Sequence, residues 1–119
     1  MIEATQRTTA HSWTWFVQAI TGIALVILLS LHMIAQHFIV EGGLREYADI
    51  VAYLRNPVIL VLESLFLITV TVHALLGVRA VAFDFGLTEK SERVVSRMLA
   101  WVGVATLGYG AWIIWLVAG

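Results

Sequence analysis

Two histidines, His32 and His73, lie inside long apolar runs, where a neutral imidazole needs a hydrogen-bond partner or a metal to offset its burial. The stretch Thr69-Val-Thr-Val-His-Ala-Leu-Leu-Gly-Val-Arg79, followed by Asp84, sets a histidine, an arginine and an aspartate in or beside a segment oily enough to cross a bilayer. Ionisable side chains are expensive there and usually mark function. The chemistry open to these histidines is axial ligation of a haem or another metal, or bonding to a neighbouring helix. Glu63 falls at a depth similar to His32 and is either protonated, paired, or part of a proton route, and Gln36 follows His32 by one turn. The other two histidines, His11 in a polar arm and His37 near the end of the first apolar run, read as interfacial or exposed.

The elements that must position these groups follow from composition. The 119 residues are 61% hydrophobic, carry a net charge of −1 and contain no cysteine, and the mean hydropathy is +0.91. The charges gather in short intervals between apolar runs, as in a membrane protein. A near-neutral charge leaves no basic face for nucleic acid, and the missing cysteines exclude disulfides, cysteine-held iron–sulfur clusters and thioether-linked haem. The polar residues Met1 to Ser12 precede an apolar run too long for a signal peptide, so no removable signal is read.

An all-α membrane protein is expected, one anchor domain over residues 1–119 with three transmembrane helices at about 13–40, 57–83 and 91–118. In the first, about 26 residues span roughly 39 Å, enough for the hydrocarbon core and an interface. Gly42-Gly43 should end it, and 44–55 should form a short amphipathic helix on the membrane surface. Asn56-Pro57 reads as an N-cap with proline at the first helical position, and Thr88 or Ser91 should cap the third span. Gly103, Thr106 and Gly110 form a small-residue face suited to close approach by another helix. Arg7, Arg79, Lys90, Arg93 and Arg97 fall on one side and only Arg45 and Arg55 on the other, so the N-terminus is expected in the cytoplasm and the C-terminus outside. Trp13 and Trp15 at one border and Trp112 and Trp115 at the other read as aromatic belts.

This topology separates the two histidines. His32 lies toward the outer end of its span and His73 toward the inner end of the next, roughly 15 Å apart along the membrane normal by helix rise. Two axial nitrogens on one iron are only about 4 Å apart. One haem therefore cannot take both; if both are ligands there are two haems, each completed by a histidine of another chain. Gly77, one turn after His73, and Gly22, near the same depth, leave room for a flat porphyrin, and Arg79 lies nearer the cytoplasm where it can pair with a propionate.

The residues Ile20-Thr-Gly-Ile-Ala-Leu25, Leu31-His32, and His73-Ala-x-x-Gly77 with Asp84 eleven positions beyond the histidine resemble a small three-helix membrane-anchor (cytochrome b) subunit of succinate:quinone oxidoreductase, respiratory complex II. The resemblance implies a helical bundle of two anchor subunits beneath a flavoprotein subunit and an iron–sulfur subunit, holding haem b between helices in a prokaryotic-type cytoplasmic membrane. It implies that His73 ligates the haem nearer the cytoplasm, that His32 ligates a second haem in two-haem members, and that Asp84 lies beside the quinone. Succinate itself would be oxidised on other chains, leaving this one a non-catalytic electron-transfer subunit. The chain departs from many relatives at Ala19, where they carry arginine, and at Phe85, where some carry tyrosine, which points to the partner anchor for those roles. A single-haem version, a fumarate-reductase version and a haem-free scaffold or assembly subunit are the alternatives.

Overall fold

A computed structural model describes residues 2–39, 42 and 46–119, apart from the side chains of residues 2–11 and 39. Helix α1, Ile2–Ile34, continues through one π-helical turn, Ala35–Ile39; α2 spans Tyr47–Arg55, α3 Pro57–Asp84 and α4 Glu89–Ala118. Three segments are long and apolar enough to cross a membrane: Ser12–Phe38, Pro57–Asp84 and Glu89–Ala118. The expected spans are all present. Helix α1 begins well before Trp13 because residues 2–12 contain neither glycine nor proline, so nothing breaks the helix where the polar arm meets the apolar run. The expectations for Gly43, Leu44 and Arg45, and for the side chains of Arg7 and His11, lie outside the described residues.

Caps set the other boundaries. The Asn56 side chain accepts from the Val58 N–H at 3.0 Å with Pro57 at the first helical position, which starts α3. Between α3 and α4 the chain turns at Gly86, whose φ of +76° suits a residue without Cβ. Thr88, rather than Ser91, caps α4: its hydroxyl accepts from the Ser91 N–H at 3.2 Å.

Helix α3 is central, with α1 against one side and α4 against another, and α2 packs on both α3 and α4. Tyr53 and Leu54 of α2 are buried with Ala35 and Ile59, and Leu62, Val117 and Ala118 close over them. The amphipathic helix thus seals the end of the bundle opposite the N-terminus. Gly103 and Gly110 face α3: a Cβ would come within 2.7 Å of Leu75 and 2.6 Å of Leu67, respectively. Their small size serves packing inside this chain, while Thr106 is exposed and bonds back to the Val102 carbonyl.

Most large apolar side chains remain outside. Trp13, Trp15, Val26, Val58, Trp101 and Trp115 are among many that are more than half exposed. No more than 11% of any span's most apolar window is buried within the chain. Such a surface requires lipid or other transmembrane helices around it.

Candidate functional site

His73 is aimed at α1. Its Nδ1 lies 3.1 Å from the Gln18 carbonyl oxygen and 3.1 Å from Thr21 Oγ1. A carbonyl can only accept, so Nδ1 carries the proton and donates. The Thr21 hydroxyl can accept as well because it sends its own proton to a carbonyl one turn back, Val17 at 2.8 Å or Gln18 at 3.0 Å. In the neutral ring this places the proton on Nδ1 and leaves Nε2 with its lone pair, the form in which histidine binds metals. The glycines make the approach possible. A Cβ on Gly22 would stand 3.2 Å from His73 Cε1, and one on Gly77 would stand 3.5 Å from Gln18 Nε2. Gly22 therefore admits the imidazole ring itself, and both glycines belong to the α1–α3 seam.

His32 is aimed at α3 from the other direction. Its Nδ1 is 2.7 Å from Glu63 Oε2, and its ring stacks on Phe66 with centroids 4.6 Å apart. Tyr53 of α2 donates its phenol to Glu63 Oε1, so one carboxylate receives both groups. Burial first, and then the Glu63 carboxylate, pushes the Tyr53 phenol well above its ordinary value, so it stays protonated and donating. Gln36, in the π-helical turn, joins Tyr53, Glu63 and Phe66 around a cavity of about 430 Å³. Here too a hydrogen-bonded Nδ1 leaves Nε2 available, with a carboxylate as its partner.

The two histidines occupy different depths. Gly22 meets His73 and His32 meets Glu63; these positions are ten residues apart on α1 and ten apart on α3, in opposite order. Antiparallel helices with that register hold the imidazoles about 15 Å apart along the axis. Among the described residues no three His, Cys, Asp or Glu side chains converge as a metal-holding group. A metal at either histidine would take its remaining ligands from elsewhere.

Arg79 faces α4, away from His73. Its Nε donates to Ser96 Oγ at 3.3 Å and its guanidinium lies 4.4 Å above the Phe83 ring, beside a cleft of about 460 Å³ shared with Glu92, Arg93 and Arg97. Asp84 is the exposed last residue of α3. The structure therefore joins Gly22, Gly77 and His73 in one group and His32, Gln36 and Glu63 in another, and leaves Arg79 and Asp84 outside both.

A model of the succinate dehydrogenase/fumarate reductase transmembrane subunit family matches residues 4–116. The chain belongs to that family. As a membrane-anchor subunit of the complex II type, it is similar to the succinate dehydrogenase hydrophobic membrane anchor subunits of two archaea. It is 27% identical to that of Archaeoglobus fulgidus over 103 residues, covering 87% of each chain. It is 28% identical to that of Thermoplasma acidophilum over 103 residues, covering 87% of this chain and 84% of the relative. No solved structure matches the anchor.

Sequence reasoning assigned no part in these groups to Gln18 or Tyr53, and Thr21 entered it only through the Ile20-Thr-Gly stretch. Gln18 lies one turn before Gly22 and Thr21 directly beside it, so the polar pattern around that glycine held the signal. Tyr53 gave none, because an aromatic on an amphipathic surface helix has many uses.

Proposed function

We propose that this anchor holds haem b in the membrane and helps pass electrons from an iron–sulfur subunit to membrane quinone, with His73 and His32 as axial ligands of two separate haems. On this reading a second anchor subunit would supply a further ligand to each, and a flavoprotein subunit would carry the succinate chemistry. The observation that carries this reading is the state of the two imidazoles: each has Nδ1 engaged by a fixed acceptor and Nε2 free, at depths too far apart for one iron.

Haem b, when bound, supplies a one-electron centre inside the bilayer. This chain's residues do the positioning. The Gln18 carbonyl and Thr21 hold the His73 tautomer, and Gly22 lets the ring lie against α1. Glu63 holds His32, and Phe66 sets its plane. Asp84, exposed at the end of α3, is our candidate for the quinone side. Arg79 keeps a cationic role toward a propionate or quinone only if that group enters the α3–α4 cleft. The positive side of the chain, with Arg79, Lys90, Arg93 and Arg97, is assigned to the cytoplasm together with the N-terminus, leaving the C-terminus outside.

One observation favours a second reading. Glu63 and Phe66 satisfy His32 without a metal, so a single haem on His73 also fits. A reduced-minus-oxidised optical spectrum with haem-to-complex stoichiometry, on the assembled complex and on its His32→Ala and His73→Ala variants, separates the two. Two b-type haems, with each variant losing a different one, are expected. Loss with His73→Ala alone makes His32 a packing residue, and absence of haem leaves a scaffold.

A further inference from the structure

His32 has a carboxylate partner, and that carboxylate is held a second time by a helix outside the spans. Tyr53 is 6% exposed and its neighbour Leu54 8%, in a buried cluster with Ala35 and Ile59 against which Leu62, Val117 and Ala118 pack. We propose that Tyr53 is a positioning residue for His32, acting through Glu63, and that the phenol–carboxylate–imidazole chain couples the surface helix α2 to the reduction potential of the haem on that side. The proposal rests on the reading of His32 as a haem ligand.

The two hydrogen bonds on Glu63 act with opposite sign. A carboxylate accepting the Nδ1–H of an iron-bound imidazole draws that proton away, makes the imidazole a stronger donor and favours ferric iron. A phenol donating to the same carboxylate draws negative charge toward itself and weakens that pull. Glu63 thus lowers the potential and Tyr53 partly restores it. The phenol is suited to this because its burial keeps it protonated. The coupling is mechanical as well: Tyr53 reaches Glu63 only while α2 stays docked, so displacement of α2 would remove the donor and lower the potential.

Optical redox titration of the assembled complex, with haem content measured alongside, tests this on Tyr53→Phe, Glu63→Gln and the double variant. Glu63→Gln should raise the midpoint of the His32-linked haem by about 59 mV, a tenfold change in the ferrous-to-ferric ratio. Tyr53→Phe should lower the same midpoint, changing that ratio about threefold, because only part of a hydrogen bond to a charged acceptor is passed on through Glu63 to the imidazole. It should have no effect in the Glu63→Gln background, and the His73-linked haem should keep its potential throughout. An unchanged midpoint in Tyr53→Phe, a shift shared by both haems, or an equal shift when Glu63→Gln is already present would overturn the proposal. Should Tyr53→Phe not assemble, a redox-difference infrared spectrum of the native complex with ring-deuterated tyrosine serves instead: a tyrosine band must move at that haem's potential, and its absence overturns the coupling. If His32→Ala keeps every haem, the ligand reading itself has failed; if it loses one while Tyr53→Phe shifts nothing, only the coupling has.

Discussion

At the scale of single residues, the anchor illustrates how a backbone carbonyl can determine what a histidine does. His73 has no charged partner; the Gln18 carbonyl and Thr21 hydroxyl set its tautomer, and Gly22 gives it space. A Cβ at position 22 would stand 3.2 Å from the ring and force it to give by a few tenths of an ångström, and the branched side chain of valine adds bulk at the same point. Gly22→Val should therefore cost the complex its His73-linked haem while leaving the other, which a pyridine haemochrome assay read per complex would register; an unchanged haem count would show that the close approach is dispensable. Helix rise alone places His32 and Glu63 at a similar depth from sequence, but the hydrogen bond between them is a finding of the structure. Tyr53 could not be added to them. Its contact depends on how α2 folds back onto the bundle, and no periodicity within nine helical residues encodes that angle.

The elements were legible to different degrees for physical reasons. Spans read clearly because lipid demands about 20 apolar residues, and Asn56-Pro57 and Thr88 mark their starts with local chemistry. Which face of a span meets which neighbour was less accessible, since a helix apolar all round has no preferred side. Gly103 and Gly110 show this: they read as a face for another helix, and that helix is α3 of the same chain. Gly103→Val should destabilise the α3–α4 contact by about 1–3 kcal/mol through overpacking. Gly108→Val, where a Cβ meets nothing within 4 Å, should be tolerated. Thermal unfolding of the detergent-solubilised complex compares the two, and equal behaviour would contradict the packing described. Docking of α2 has a pH signature. The Tyr53 phenol is raised above its ordinary 10.0 by burial and by Glu63, so the unfolded chain loses this proton first on going up in pH. Its contribution is intact below pH 10 and declines above it. The difference between tyrosinate titrations of the native protein and Tyr53→Phe, which isolates this phenol, should show no ionisation at pH 10.0. Half-ionisation there would mean that α2 leaves Tyr53 in water.

At the scale of the whole molecule, the chain is an incomplete object. It measures 59 × 25 × 22 Å, a narrow rod with few buried side chains and apolar surface along every span. Membership of the transmembrane subunit family accounts for that surface, because such a subunit works within a larger complex. The two free Nε2 atoms fit the same logic: each histidine is prepared by this chain and completed, on our proposal, by another. Cryo-electron microscopy of the intact complex would test this most directly. Two porphyrins are expected, one with iron about 2 Å from His73 Nε2 and one about 2 Å from His32 Nε2, each with its second axial nitrogen from a different chain. Iron bonded to neither histidine, or a single haem ligated twice by this chain, would contradict it.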